Sequence, residues 1–240
     1  VAQPSSQIRP VPLNLKHWSL AGDTRAPWAP ASVVDTIGQW LRETEYADEL
    51  RAAGEKVMPL LLVGESRCGK TSTLCKIARG FGIPAYRMNV ASIVGDKLGQ
   101  TTKAIIDALA ETIDSTSALW VLDEADGIFG QRGDASDGAT RELNTAMTAA
   151  LTMIENLPIH VTLAATTNEM QLIDRAMVAR FTVVQFPTWR QLDRDGRQAF
   201  AKSHGCEGAW QSDSYSSVVQ SARMNRVNRI IEASEGKSKR

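Results

Sequence analysis

The stretch Gly64-Glu-Ser-Arg-Cys-Gly-Lys-Thr71 has the form G-x-x-x-x-G-K-T, the residue types and spacing of a loop that cradles phosphate. Its glycines open backbone conformations closed to other residues, so successive N–H groups can converge on phosphate oxygens at the positive end of a following helix. Lys70 is then placed to reach the β- and γ-phosphates of a nucleotide, and the Thr71 hydroxyl to bind Mg²⁺. Gly64, Glu65, Ser66, Arg67, Cys68, Gly69, Lys70, Thr71 and Ser72 are therefore the candidate nucleotide-binding residues, with ATP and Mg²⁺ the expected ligands. A second landmark, Ala118-Leu-Trp-Val-Leu-Asp-Glu-Ala-Asp126, is an apolar run that ends in carboxylates. Asp123 is the candidate partner of Thr71 in holding the metal. Glu124 is the candidate general base for water attacking the γ-phosphate. In the run Val161 to Asn168, the amide of Asn168 is a candidate for positioning that water.

These side chains need a scaffold, and hydrophobic periodicity supplies one. A buried strand over Pro59 to Val63 delivers the chain to Gly64, and a helix from about Gly69 to Gly80 carries Leu74, Ile77 and Ala78 on one face. Before it, Ser32 with Asp35 three residues on predicts a capped helix bearing Val33, Val34, Ile37, Trp40 and Leu41 and ending near Gly54. After it come a strand over Ala85 to Val90 and a helix capped by Thr101 with Ile105, Ala108, Leu109 and Ile113 inward. The loop Gly127 to Gly138 leads to a helix with Leu143, Met147, Ala150, Leu151 and Ile154 inward, then the strand Val161 to Asn168. A last strand, Thr182 to Phe186, is closed by Pro187. This alternation predicts an α/β fold, a parallel sheet flanked by helices with ligand at the strands' carboxyl ends. Residues 1–30 hold Pro4, Pro10, Pro12, Pro27 and Pro30 and read as an extended arm pinned by Trp18 and Trp28. The expected domains are then 31–187 for nucleotide binding and 188–235 for a small helical lid, with 236–240 a tail.

Lys plus Arg and Asp plus Glu are both 27 in 240 residues, so no global field steers the chain to nucleic acid or an anionic membrane. Three cysteines, Cys68, Cys75 and Cys206, form no C-x-x-C pair, which points away from disulfides and zinc and toward a reducing cytoplasm. Cys68, inside the phosphate loop, is a candidate redox-sensitive thiol. No apolar run approaches the ~20 residues of a membrane span, and the N-terminus lacks a basic-then-apolar signal pattern.

Taken in order, these motifs resemble the AAA+ ATPases, and within them the AAA subgroup that includes protein unfoldases and the ATPase parts of energy-dependent proteases. The resemblance covers roughly Ser32 to Ala233. Gly64 to Thr71 looks like the Walker A loop, Leu122 to Asp126 like Walker B, and Asn168 like sensor 1. Arg141 and Asn144 stand where the subgroup often has Arg and Asn, and Ile173 to Phe181 resembles the stretch that ends in an arginine finger. The resemblance implies a homo-oligomeric ring, commonly a hexamer, in which Arg180 reaches a neighbour's γ-phosphate. Four features depart from the pattern. Glu65, Ser66, Arg67 and Cys68 replace the usual Pro- and Gly-rich residues of the loop, and Ala179 fills the place of a second arginine. Arg223 or Arg226 could supply a sensor 2 arginine, as in other AAA+ branches. In the possible pore loop, Val94 to Gln100, Leu98 and Gly99 fit while Lys97 takes the aromatic place.

The leading expectation is an ATP-hydrolysing protein that remodels a protein partner in the cytoplasm. A nucleic-acid-acting AAA+ module, clamp-loader-like or helicase-loader-like, is the alternative, suggested by Leu-Asp-Glu-Ala-Asp at Leu122 to Asp126 and by Arg223, Arg226, Arg229, Lys237, Lys239 and Arg240. A nucleotide-dependent scaffold with little turnover is a third, and Glu124 counts against it.

Overall fold

The computed structural model describes residues 18–21, 28–89, 100–113, 118–127, 129–130, 138–158 and 161–238. Its centre is a six-stranded sheet of β1 (Trp18–Leu20), β2 (Leu60–Val63), β3 (Ala85–Asn89), β4 (Leu119–Asp123), β5 (Thr162–Thr167) and β6 (Thr182–Gln185), in the order β1-β3-β4-β5-β2-β6. Five strands are parallel, and β1 runs antiparallel to β3 at the edge.

The central strands β2, β4 and β5 are buried along nearly their whole length because both of their faces are covered. Successive side chains point to opposite faces. Leu61 and Val63 thus join Trp120, Leu122 and Leu163 in one core, closed by α4 (Gln100–Ile113) and α5 (Gly138–Glu155) through Ile105, Leu109, Met147 and Ile154. Leu60 and Leu62 join Leu119, Val121 and Ala164 in the other, closed by α1 (Ala31–Glu45) and α3 (Lys70–Gly80) through Ile37, Leu41, Leu74 and Ala78. Full burial of each Leu or Ile contributes about 1.5–3 kcal/mol, so β2 is anchored from both sides where it launches the phosphate loop.

After β6 the chain is helical: α7 (Arg194–Ser203), a short 3₁₀ turn and the long α8 (Tyr215–Ser238) follow the four-residue α6 (Arg175–Val178) that precedes β6. Trp189 anchors this end. Its ring meets Phe200 and Tyr215 edge-on at 5.9 and 5.1 Å, its Nε1 donates to the Ser212 carbonyl at 2.6 Å, and Tyr215 Oη donates to the Pro187 carbonyl at 2.9 Å.

Several expectations change. Ser32 is not the N-cap: the first helix begins at Ala31 behind Pro30, whose carbonyl accepts from the Val33 and Val34 N–H groups, because proline is already set at φ −55°. The helix does not run to Gly54 either. It breaks at Tyr46, after the Thr44 hydroxyl takes the Leu41 carbonyl, and α2 (Ala47–Ala52) follows. Thr101 lies within the first turn of a helix that begins at Gln100. The N-terminal arm is not wholly irregular, since Trp18–Leu20 pairs with β3. The Trp28 N–H donates to Ser203 Oγ at 3.0 Å, tying that segment to α7.

Candidate active site

The turn from β2 into α3 builds the site. Gly69, at φ +101°, occupies a conformation that disfavours any side chain, and it positions the N-terminus of α3. Gly64 is required for a different reason, close packing: a Cβ there would lie 2.7 Å from Phe186 Cβ and 3.0 Å from Cys68 Sγ. Lys70 folds back under the loop, and its Nζ donates to the Gly64 carbonyl at 2.8 Å, the Glu65 carbonyl at 3.0 Å and Asn168 Oδ1 at 2.9 Å. Burial pulls the Lys70 pKa below its ordinary value, opposed by the charges of Cys68, Asp123, Asp126 and Glu124.

The strand order puts β5 between β2 and β4, so three strand ends converge. Asp123 Oδ1 accepts from the Thr71 and Thr166 hydroxyls, each at 2.7 Å, while Arg87 Nη1 stands 3.4 Å from Asp123 Oδ2. Thr71 and Asp123 thus present adjacent hard oxygen donors of the kind Mg²⁺ takes, and the residues fit that ion. Glu124 holds the left-handed φ of +56°, and its N–H donates to Thr166 Oγ1 at 3.3 Å. For a non-glycine residue that conformation costs roughly 1–3 kcal/mol, a strain typical of functional positions. Thr167 Oγ1 donates to Asp126 Oδ1 at 2.8 Å and steadies the turn after β4.

A cavity of about 530 Å³ opens over these groups. Ser66, Arg67, Gly69, Lys70, Thr71, Ser72, Asp123, Glu124 and Asn168, all singled out from sequence, line it. Gly64, Glu65 and Cys68, the other candidates of the loop, are not among its lining residues. Glu65 Oε2 accepts from the Trp189 N–H at 3.0 Å, which ties the phosphate loop to the start of the helical end. Cys68 is 2% exposed, and burial raises its thiol pKa. Burial and a raised pKa both count against a reactive, redox-sensitive thiol at Cys68.

Other candidates fall outside the cavity. Arg180 precedes β6, donates from Nη1 to the Ala176 carbonyl at 2.5 Å and pairs through Nη2 with Glu155 at 2.5 Å. Arg223 and Arg226 project from α8 without lining the cavity; Val219, earlier on that helix, lines it instead. Lys97 and Leu98 lie outside the described residues.

Among the described residues, five lining residues escaped the sequence reading: Arg87, Thr166, Thr167, His204 and Val219. Arg87 could have been flagged as a charge in a strand next to the Asp123 strand. Thr166 was readable as the polar end of β5. His204 and Val219 come from the helical end and carry no local signal. Among the described residues, no helix is long and apolar enough to cross a membrane.

Comparison with known proteins adds a family. The sequence model described as "ATPase family associated with various cellular activities (AAA)" matches residues 60–188. The uncharacterized AAA family ATPase y4kL of Sinorhizobium fredii is 30% identical over 145 residues, 60% of this chain and 43% of its own length. The ATP-dependent zinc metalloprotease FtsH of Syntrophus aciditrophicus is 27% identical over 161 residues, 64% of this chain and 21% of its own. The chain therefore spans less than half of either relative. A chain in the HORMA:CdnC:Trip13 complex of E. coli MS115-1 shares the fold, with a TM-score of 0.62 and 19% identity over 87% of this chain and 79% of that one.

Proposed function

Because the chain belongs to the AAA family of ATPases, we propose that it binds ATP with Mg²⁺ over the ends of β2, β4 and β5, hydrolyses it, and uses the turnover to remodel a protein partner within a ring of like subunits, commonly six. The observation that carries this reading is the 2.7 Å bond between Thr71 and Asp123 beside the buried Lys70. It joins the phosphate loop to the carboxylate strand at the point where a metal-bound triphosphate needs both. The loop N–H groups and the N-terminus of α3 take phosphate oxygens, and Lys70 exchanges loop carbonyls for them. Thr71 and Asp123 would hold the ion, which when bound would neutralise charge developing on the phosphoryl group. Glu124 accepts the proton of the attacking water, and Asn168 orients that water.

Residues 31–187 form the nucleotide-binding part in this reading, and 188–235 a lid that brings His204 and Val219 to the cavity and is coupled to the loop through Glu65 and Trp189. The position of Arg180 supports the ring. It sits before the amino end of β6, whereas the cavity lies at the carboxyl ends. The four residues of β6 span roughly 13 Å, so the guanidinium serves a neighbour's site better than its own. A protein substrate is supported by the likeness to FtsH, named as an ATP-dependent protease. The cysteines Cys68, Cys75 and Cys206 are free and buried, which suits the reducing cytoplasm.

The test separates binding from chemistry. Lys70→Ala should abolish binding of a fluorescent ATP analogue. Glu124→Gln should bind it normally and hydrolyse ATP ~10²–10⁴-fold more slowly, the range of a general base. Hydrolysis by Glu124→Gln at the native rate refutes the assignment.

A further inference from the structure

Among the described residues, Arg67, Lys70 and Arg87 are the lysine and arginine side chains that line the nucleotide cavity. Lys70 is engaged by the loop, and Arg67 belongs to the loop itself. Arg87 comes from elsewhere. It stands on β3, beyond β4 from the phosphate loop, and enters from the wall that carries Asp123 and Glu124. A triphosphate whose inner phosphates sit in the loop directs its terminal phosphate toward that wall, because the groups proposed to hold the metal and the water stand there.

The way Arg87 is held suits it to move. The acidic oxygen it meets among the described residues, Asp123 Oδ2, is 3.4 Å away, longer than the 2.7–2.9 Å of a well-made guanidinium–carboxylate bond. Half of its side chain is exposed (49%). The other Asp123 oxygen already accepts from two hydroxyls, so Asp123 stays in place without the arginine. A guanidinium presents a planar fork of donors that matches phosphate oxygens, and a terminal phosphate is a more highly charged acceptor than a single carboxylate oxygen.

We propose that Arg87 is a terminal-phosphate contact: its guanidinium leaves Asp123 for the γ-phosphate, so that the chain distinguishes ATP from ADP through its own β3. This rests on the nucleotide-binding reading above and goes beyond it, since the phosphate loop by itself does not require an arginine on β3.

The experiment is titration calorimetry of the intact chain with ADP and with a non-hydrolysable ATP analogue, each in Mg²⁺ and in EDTA. Wild type, Arg87→Ala, Arg87→Lys and Lys70→Ala are compared. Arg87→Ala should lose about tenfold or more in affinity for the analogue, the scale of one charge-assisted hydrogen bond, while its ADP affinity stays within twofold. Retained ADP binding also shows that the variant folds. The loss should persist in EDTA, and Arg87→Lys should recover part of it. Equal loss for both nucleotides, no loss for either, or a loss that disappears in EDTA overturns the proposal; the last outcome would make Arg87 a positioning residue that acts through Asp123 and the metal. Failure of the wild type to bind either nucleotide, or unchanged binding by Lys70→Ala, would instead overturn the nucleotide-binding reading and the Arg87 contact with it.

Discussion

Lys70 and Arg180 are both cations in the proposed reaction, and the chain holds them differently. Lys70 is 7% exposed, and its three donors meet two loop carbonyls and Asn168. Arg180 lies at the other end of the sheet, against a half-exposed Glu155 and one carbonyl, and its buried Nε finds no acceptor among the described residues. A buried ammonium with every donor satisfied stays in place until phosphate oxygens replace its acceptors, and leaving it unpartnered in an apolar interior is costly. A guanidinium on an exposed carboxylate is cheap to release, because such pairs contribute only about 0–1 kcal/mol. Within one chain, then, Lys70 is held by buried partners at the phosphate loop, whereas Arg180 is held by a half-exposed carboxylate and one carbonyl; under the proposed function, the second is the cation free to serve another subunit.

The sharpest way to separate the halves is Arg180→Ala. It should cut hydrolysis by ~10³-fold, the lower end for an arginine finger in related GTPases, and leave nucleotide affinity within twofold. Paired rate and binding measurements check this, and a matching loss of affinity would place Arg180 in the binding half. Gly64→Ala should act in the reverse sense. The added methyl meets Phe186 Cβ and Cys68 Sγ, so we expect ~1–3 kcal/mol of lost stability by urea unfolding together with weaker nucleotide binding; native stability and affinity would show that the loop has room to shift. The smallest effect belongs to Glu155→Ala, which removes the acidic partner of Arg180. Stability should fall by less than about 1 kcal/mol, and less still at high salt, whereas a loss of several kcal/mol would mean that Arg180 is a structural anchor.

The nucleotide-binding half was legible in the sequence because its determinants are local. The loop motif, the apolar strands covered on both faces and the carboxylates at the end of β4 each declare themselves within a few residues. The edge strand Trp18–Leu20 did not, since three residues carry no usable period and its pairing with β3 is remote in sequence. The bond from Trp189 to Glu65 was hidden for the same reason. Glu65 looked like a departure from a stiff loop, and the structure makes it the acceptor that joins the loop to the helical end. Ser32 failed as a cap because Pro30 had already set the backbone, a case of one local signal overriding another. His204 and Val219 reach the cavity only through the packing of α7 and α8 around Trp189, which no motif records.

The central claim, that Arg180 completes a neighbour's site while Lys70 serves its own, is tested most directly by mixing two dead variants. Arg180→Ala subunits retain an intact Lys70, and Lys70→Ala subunits retain an intact Arg180. Co-assembled at equal concentration, with mixed oligomers verified by native mass spectrometry, they should regain ATPase activity that neither shows alone, because some interfaces pair a working phosphate loop with a working arginine. No recovery in verified mixed assemblies would contradict the account and return Arg180 to a role within its own chain.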